Sequence, residues 1–177
     1  CYDCTRHKRS FEYGLSVINY DETASRSMAG IKYNNKREYL DFYAEAMFRS
    51  LGPRIMRMKA DVLLPVPVHP SRMKTRGFNQ AQELAVRLSE KLGIPVNSTI
   101  LRRSKKTAPQ KSLDPSGRLK NLEQAFMADH LPPYIHSVIL VDDIYTTGST
   151  IEACTRILKK AGIERVYFIT IFIGNGQ

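Results

Sequence analysis

Hydrophobic and polar positions along the chain follow two different periods, which predict a succession of strands and helices. Short apolar or alternating runs bounded by turn residues predict strands at 13–20, 62–66, 96–101, 137–141 and 166–173. Apolar residues spaced by three and four positions predict helices at 38–51, 78–92 and 149–161. The last strand, VYFITIFI, is apolar throughout, as expected of a parallel strand covered on both faces.

Each predicted helix carries one apolar face and ends near a glycine. Gly52 and Pro53 are expected to stop the first helix, while Gly93 and Gly162 are expected to cap the second and third. The residues expected to face the core are Leu40, Tyr43, Ala44, Met47 and Leu51 in the first helix, Ala81, Leu84, Ala85, Leu88 and Leu92 in the second, and Ile151, Cys154, Leu158 and Ala161 in the third.

The order of these elements predicts the fold class. Because strands and helices alternate, we expect an α/β fold with a doubly wound, mostly parallel sheet flanked by helices. Residues 21–27 read as a polar stretch. Residues 102–120, which contain Pro109, Pro115 and Gly117, read as a long loop, and loops of this length in compact domains are usually functional lids or disordered.

The charge of the chain favours anionic partners. Lys and Arg number 27 against 17 Asp and Glu, which gives a formal net charge of +10. Such a balance suits phosphates, nucleic acid or an acidic protein. The charge is concentrated, because residues 54–76 hold six basic and one acidic residue and residues 102–120 hold seven and one. The alternative, a solvated face, is weaker because both runs contain turn residues and interrupt regular segments.

Composition excludes several classes of protein. Hydrophobic residues make up 42% and charged residues 25%, which is ordinary for a soluble globular domain and excludes general disorder. Three cysteines are too few for a disulfide-stapled scaffold. The apolar runs are too short to span a bilayer, and the sequence shows no secretory pattern of a charged start followed by an apolar stretch. We therefore expect a cytoplasmic protein.

The first residues contain half of a metal-binding pattern. Cys1 and Cys4 form a C-x-x-C pair, which is half of a zinc ribbon, because structural zinc takes four thiolate or imidazole ligands. His7 is a candidate third ligand, and the rest would have to lie upstream. The alternative is two free thiols in a frayed terminus. We divide the chain into a partial zinc ribbon over 1–12 and a main domain over 13–177.

The segment 138–150, VILVDDIYTTGST, carries the chemistry. Asp142 and Asp143 follow a buried strand, where ligands bind in open α/β sheets, and their mutual repulsion calls for sugar hydroxyls, a metal ion or a nearby base. The hydroxyl-rich loop beyond them opens a helix, and its Gly148 lets the backbone approach a phosphate. Together these features predict a ribose 5-phosphate site. The alternative is that Ser149 or Thr150 only caps the helix.

This segment resembles the phosphoribosyl pyrophosphate motif of type I phosphoribosyltransferases over its whole length. In that family the two acids hold the ribose hydroxyls and the loop binds the 5-phosphate. The resemblance implies a phosphoribosyl pyrophosphate site with Mg²⁺ nearby, held largely by the ligand and water. The residues that it implies are Asp142, Asp143, Tyr145, Thr146, Thr147, Gly148, Ser149 and Thr150.

A second resemblance, to the ComF family of competence-associated phosphoribosyltransferase homologues, covers nearly the whole chain. It rests on LPVPVHPSRMKTRGFNQ at 64–80, on TAPQKSLDPSGRLKNLEQAF at 107–126 and on the C-x-x-C pair. It implies a type I phosphoribosyltransferase fold over 13–177, a small hood around Lys32 and Tyr33, and the last half of a zinc ribbon over 1–12. Zinc is therefore an expected second metal of the longer protein.

The resemblance also assigns two loops near the diphosphate. A pyrophosphate loop over 66–76 would use Arg72, Lys74 and Arg76, and His69 could touch a ligand there; a solvated surface is the alternative for Arg72 and Lys74. A mobile loop over 102–120 would close over the site and bring positive charge to the departing pyrophosphate. Its candidate catalytic residues are Lys105, Lys106, Gln110 and Lys111.

Three functions remain open from the sequence. The leading one is a phosphoribosyltransferase of unknown acceptor that binds phosphoribosyl pyrophosphate with Mg²⁺. The second is a non-catalytic phosphoribosyl-binding module that acts in DNA uptake or single-stranded DNA handling, which the basic loop favours. The third is an ordinary salvage phosphoribosyltransferase. Single-stranded DNA, competence proteins and a second copy of the chain in a homo-oligomer are the further partners considered.

Overall fold

The computed structural model describes residues 9–103 and 115–174. Strands and helices alternate through most of the chain, as predicted. In chain order the elements are β1 (Gly14–Asn19), α1 (Glu22–Asn34), α2 (Tyr39–Met56), β2 (Val62–Pro65), α3 (Pro70–Arg76), α4 (Gln80–Leu92), β3 (Leu101–Arg103), α5 (Pro115–Ala125), β4 (Phe126–Ala128), β5 (Ser137–Tyr145), α6 (Ser149–Lys160) and β6 (Arg165–Ile173).

The main sheet is parallel, and its strand order is β1-β6-β5-β2. In its centre Leu140 of β5 pairs with Phe168 of β6 on one side and with Leu64 of β2 on the other. A single parallel bridge between Leu63 and Val96 extends the sheet beyond β2. The short strands β3 and β4 form a separate antiparallel pair.

Helices cover both faces of the main sheet, so the predicted doubly wound α/β architecture is confirmed. On one face, α1, α2 and α4 bury Met28, Met47 and Leu88 against residues such as Ile139 and Val141. On the other face, α6 and the β3–β4 pair pack on alternate residues of the same strands, among them Val138, Leu140 and Phe168. The strands lack polar faces because both of their faces are core.

Two crossovers leave the sheet in opposite directions and define where a ligand crevice forms. The chain after β5 returns through α6 to β6, whereas the chain after β2 returns through α4 to Val96, on the opposite side. Helices α6 and α4 also lie on opposite faces. In open α/β sheets ligands bind outside the carboxyl ends of the strands at such a switch point. Here that point lies between the ends of β5 and β2.

Several predicted boundaries were wrong in the first half of the chain. The polar stretch 21–27 is instead the start of α1, in which Asp21 Oδ1 accepts a hydrogen bond from Ala24 N at 2.8 Å. Helix α2 continues past Gly52 and Pro53 to Met56. The helix tolerates Pro53 there because continuing the turn buries Ile55 completely.

The region predicted as strand 96–101 followed by loop 102–120 was also partly wrong. Val96 makes only the isolated bridge, and the regular strand is β3, at 101–103. Residues 115–120 belong to α5 rather than to a loop. Within the predicted pyrophosphate loop, residues 70–76 form the short helix α3.

The core-facing residues predicted for the helices are buried, with one exception. Ala161 is exposed, because α6 ends at Lys160 and Ala161 is already its C-cap residue. Cys154 is fully buried, as predicted, and burial raises the pKa of its thiol well above the usual range. Among residues 9–103 and 115–174, no helix combines the length and the apolar character needed to cross a membrane.

Candidate functional site at the carboxyl end of the sheet

Strand β5 carries the two predicted carboxylates into the crevice. The strand is longer than predicted and ends at Tyr145, so Asp142 and Asp143 lie within it; Asp142 pairs with Thr170 of β6. Asp143 is buried, and Asp142 is partly exposed at the crevice. The Asp143 amide donates a hydrogen bond to Asp142 Oδ1 at 2.9 Å. The backbone thus fixes the orientation of the more accessible carboxylate.

Sugar hydroxyls, a metal ion or a nearby base were the predicted ways to compensate this acidic pair, and the structure shows a base, Lys32, in the last turn of α1. Its ammonium group forms an ion pair with Asp143 Oδ2. Burial opposes the charge of Asp143, but the ammonium outweighs burial and lowers the pKa of that carboxyl. Burial, together with the adjacent charge of Asp143, raises the pKa of Asp142 well above its usual range. Because a raised pKa favours the neutral form of Asp142, a bound cation or hydrogen-bond donors of a ligand would be needed to hold this carboxyl in its charged form.

The loop after β5 presents backbone donors. The amide N–H groups of four consecutive residues, 147–150, donate no hydrogen bond to the described part of the chain. The first turn of α6 has no intrahelical acceptors for such groups, and their partial positive charges favour an anion. Thr147 Oγ1 and Ser149 Oγ lie 3.0 Å apart, which adds hydroxyls beside the amides.

Gly148 shows that this loop is more than a helix cap. Gly148 itself occupies the N-cap position of α6, and no side chain caps the helix, so the alternative that Ser149 or Thr150 is the capping residue is wrong. Its φ of 70° is left-handed, and a Cβ there would lie 2.4 Å from Tyr145 Oη. Glycine is therefore required both by backbone conformation and by the ring of Tyr145 packed against it.

The predicted pyrophosphate residues lie on and after α3. Arg72 and Lys74 are exposed, and Lys74 lines a cavity of about 510 Å³ together with Pro65, Pro67 and Met73. Arg76 is partly buried: its Nη1 donates to Gln80 Oε1 at 3.2 Å, and its guanidinium lies over the ring of Tyr33.

Two further residues of the segment 64–80, His69 and Asn79, cap the helices α3 and α4. His69 is the N-cap of α3, and its Nδ1 accepts from Ser71 N at 3.1 Å. Asn79 caps α4 by accepting from Ala81 N, and its Nδ2 donates to Val66 O, both at 3.0 Å. The motif R-G-F-N-Q therefore ties the helix pair α3–α4 to the carboxyl end of β2.

In the sequence Arg103 is only one member of a basic run, but in the structure its environment differs from that of an exposed basic residue. Its guanidinium lies over the Phe126 ring at 5.2 Å, its Nε is buried without a hydrogen-bond partner, and it forms no ion pair with a carboxylate in 9–103 or 115–174. Burial and the charge of Arg72 lower the pKa of Arg103, while the charge of Asp142 opposes this effect. The charges of Arg72 and of Asp142 thus act on the Arg103 guanidinium in opposite directions.

The signal that could have identified Arg103 is its neighbour in sequence. Arg102 and Arg103 point to opposite sides of β3, and Arg102 forms an exposed ion pair with Asp129. One of two adjacent strand arginines therefore had to face the sheet. The predicted loop candidates Lys105, Lys106, Gln110 and Lys111, and the predicted zinc ligands Cys1 and Cys4, lie outside the described residues.

Comparison with known proteins shows the family to which the chain is related. A family profile described as "Phosphoribosyl transferase domain" matches residues 73–177. Competence protein F of Haemophilus influenzae is 31% identical over 94% of this chain and 75% of its own length. DNA utilization protein YhgH of Salmonella typhi is 29% identical over 94% of this chain and 74% of its own. Competence protein ComFC of Bacillus subtilis is 29% identical over 92% and 67%.

Proposed function

Because this chain belongs to the ComF family and carries a phosphoribosyl transferase domain, we propose that it binds phosphoribosyl pyrophosphate together with Mg²⁺. One observation carries the proposal: at the switch point of a parallel sheet, two carboxylates are followed by a loop in which four consecutive backbone amides donate no hydrogen bond within the described residues. Amides suit a monophosphate, and carboxylates accept hydrogen bonds from vicinal sugar hydroxyls.

Each part of the ligand has a matching group. The 5-phosphate would accept hydrogen bonds from the amides of 147–150. The ribose hydroxyls would donate to Asp142, while Asp143 stays paired with Lys32. The diphosphate would lie against Arg103 and Arg72, whose mutual repulsion an anion relieves.

The carboxylates also fit the metal. Mg²⁺ prefers oxygen ligands, keeps several waters and is commonly held by one or two carboxylates plus substrate phosphates. Asp142 is the available carboxylate, since Asp143 is engaged by Lys32. When bound, the ion would neutralise charge on the diphosphate. The residues of the chain would position the ribose and exclude water from it.

Turnover, in this proposal, is a substitution at the anomeric carbon of the ribose. A nucleophilic acceptor forms the new bond to that carbon while the bond to the pyrophosphate oxygen breaks, and pyrophosphate leaves with the electron pair. Positioning and stabilisation of the leaving anion would supply most of the acceleration. Arg103 and Arg72 are the described cations suited to that stabilisation.

The test is calorimetric titration of the chain with phosphoribosyl pyrophosphate, with and without Mg²⁺. We expect Mg²⁺-dependent binding that is weakened at least tenfold by Asp142→Asn. Asp129→Asn is the matched control, because Asp129 is a surface carboxylate paired with Arg102, and it should leave the affinity unchanged. Absence of binding by the folded native chain would refute the proposal.

A second candidate function is handling of single-stranded DNA. Relatives are called competence and DNA utilization proteins, and α3 exposes Arg72 and Lys74 beside the crevice. Exposed basic side chains bind nucleic acid mainly through phosphates, and such binding weakens as salt rises.

Titration with a labelled oligonucleotide at several salt concentrations tests this second function. We expect salt-sensitive binding that Arg72→Gln with Lys74→Gln weakens, whereas Lys36→Gln, on the loop between α1 and α2, does not. Competition by phosphoribosyl pyrophosphate would place the oligonucleotide on the same cations. Lack of binding at low salt would exclude direct DNA handling by this chain.

A further inference from the structure

A segment near the start of the chain contacts residues 146–150, the loop after β5, which is here called the phosphate loop. Residues 9–12, here called the strap, precede β1 and run beside β6 and α6. Arg9 Nη2 donates to the carbonyl oxygen of Thr147 at 2.9 Å. At the other end of the strap Glu12 N donates to Val166 O at 2.8 Å, and Lys159 Nζ donates to Glu12 Oε1 at 3.1 Å. The strap is therefore fixed at both ends.

Glu152 joins the strap to the first turn of α6. Its side chain is 1% exposed, and both of its oxygens are engaged. Ser10 N donates to Oε2 at 2.9 Å, while Ser10 Oγ and Arg156 Nε both donate to Oε1 at 2.7 Å. A buried carboxylate with three donors holds its partners in one arrangement, since any other would leave a charge unsatisfied.

Three packed aromatic rings, those of Phe11, Tyr145 and Phe168, support the phosphate loop. Phe11 of the strap contacts Tyr145 and Phe168 edge to face, with centroid distances of 6.4 and 5.0 Å. Tyr145 stacks on Phe168 at 4.7 Å, and its hydroxyl end packs against Gly148. The strap thus contacts the Thr147–Gly148 peptide in two ways, directly through Arg9 and indirectly through the ring of Tyr145.

The hydrogen bond from Arg9 sets the direction of one peptide. The Thr147–Gly148 peptide is trans, so its carbonyl and its N–H point in opposite directions. With the Thr147 oxygen held by Arg9, the Gly148 N–H points away from the guanidinium of Arg9. Glycine at 148 would allow this peptide to rotate, because glycine populates positive and negative φ almost equally.

We propose that Arg9 is a positioning residue that locks the Thr147–Gly148 peptide in the orientation that presents the Gly148 amide to a phosphate. Without Arg9, the Thr147 carbonyl can turn inward and replace a donor by an acceptor that repels the anion. The inference rests on the proposed function, since it assumes that the loop binds a phosphate monoester. It adds to that function a residue about 140 positions away from the loop.

The first experiment measures the affinity of the chain for ribose 5-phosphate. Arg9→Met removes the donor and keeps an apolar stem, and we expect it to weaken binding by about 10-fold to 100-fold, the range for loss of a hydrogen bond from a charged group. Arg9→Lys, which retains a cationic donor, should recover part of the affinity. Lys159→Met is the matched control, because it loosens the strap at Glu12 without touching Thr147, and it should bind like the native chain.

The second experiment separates failure of this inference from failure of the proposed function. Nuclear magnetic resonance relaxation dispersion of the Gly148 amide needs no ligand. We expect microsecond-to-millisecond exchange at Gly148 in Arg9→Met and none in the native chain or in Lys159→Met. If the native chain binds ribose 5-phosphate and Arg9→Met binds it with the same affinity, the inference is overturned. If the native chain does not bind ribose 5-phosphate, the proposed function fails, and absence of exchange in Arg9→Met then overturns the inference independently.

Discussion

The ammonium group of Lys32, at the end of α1, forms an ion pair with the carboxylate of Asp143, inside β5. Helix α1 thereby contacts the acidic end of the sheet, and the two carboxylates of β5 acquire different roles. Asp143 is neutralised from within the protein, whereas Asp142 keeps a raised pKa and faces the crevice.

Replacing Lys32 should destabilise the fold in a pH-dependent way. Lys32→Met leaves Asp143 as a buried, unpaired charge, which costs about 3 kcal/mol. The pKa of Asp143 is lowered in the native chain, so the ion pair stabilises the fold above the unfolded pKa of an Asp and is lost as pH falls through the folded value. Urea unfolding should therefore show a native–variant difference at pH 7 that shrinks towards pH 3.

Lys36→Met is the control for this experiment. Lys36 forms an exposed, long ion pair with Glu38, and its removal should leave the free energy of unfolding nearly unchanged. A Lys32→Met variant as stable as Lys36→Met at pH 7 would contradict the assigned role of the ion pair.

Alanine at two glycines with the same backbone conformation should have different effects. Gly148 and Gly93 have φ of 70° and 71°, but only at Gly148 would a Cβ collide with a neighbour, Tyr145. Gly93→Ala should cost only the left-handed penalty, about 1 kcal/mol. Gly148→Ala should lower the unfolding midpoint further and abolish binding of phosphoribosyl pyrophosphate, as thermal unfolding and calorimetry would show. Equal destabilisation by both changes would argue against the packing of Tyr145 on the loop.

The same substitution should lower the affinity for pyrophosphate at Arg103 and leave it unchanged at the adjacent Arg102. Arg103→Met removes a partly buried cation that the charge of Arg72 disfavours, so the free energy of unfolding should stay within about 0.5 kcal/mol or rise. The affinity for inorganic pyrophosphate should fall about tenfold or more. Arg102→Met removes only a surface ion pair with Asp129 and should leave that affinity unchanged. Calorimetry on both variants tests this, and equal affinities would remove Arg103 from the proposed diphosphate site.

Glu152 should contribute to stability mainly above acidic pH. Burial opposes its charge, but the donors on Ser10 and Arg156 outweigh burial and lower the pKa of Glu152. The stabilisation is thus present above the unfolded pKa of a Glu and is lost as pH falls through the folded value. Glu152→Gln should be less stable than the native chain at pH 7, with a difference that narrows below about pH 4.3.

Glu90→Gln, at an exposed position on α4, is the control variant for the pH dependence of stability. Chemical denaturation at several pH values between pH 3 and pH 7 measures the free energy of unfolding of both variants. A native–variant difference for Glu152→Gln that is constant with pH would show that the carboxylate charge is not what stabilises the strap.

The sequence predicts those parts of the site that lie close together in the chain. Asp142, Asp143 and the loop to Thr150 form one contiguous segment, so their order alone indicates strand, carboxylates and phosphate loop. Lys32, Arg103 and Arg9 reach the site only through tertiary contacts, and each looks like any other basic residue in its own segment. The charge of Arg72 acts on Arg103 although the two residues belong to different elements, α3 and β3, that are distant in sequence.

The wrong predictions of the start of α1 and the end of α2 also have identifiable physical causes. Helix α1 buries only Ala24, Met28 and Ile31, so its apolar stripe is too narrow to stand out from a polar segment. The one local signal was Asp21, a typical N-cap three residues before Ala24. Pro53 predicted the end of α2, but burial of Ile55 beyond it outweighs the lost backbone hydrogen bond.

The stack of Phe11, Tyr145 and Phe168 also makes the phosphate loop accessible to optical spectroscopy. The chain contains nine tyrosines but no tryptophan, so Phe11→Trp would introduce a single indole, which can be excited selectively, next to the Tyr145 ring that packs on Gly148. Its emission would report the local environment under the loop and could follow ligand arrival in real time, without a label on either partner.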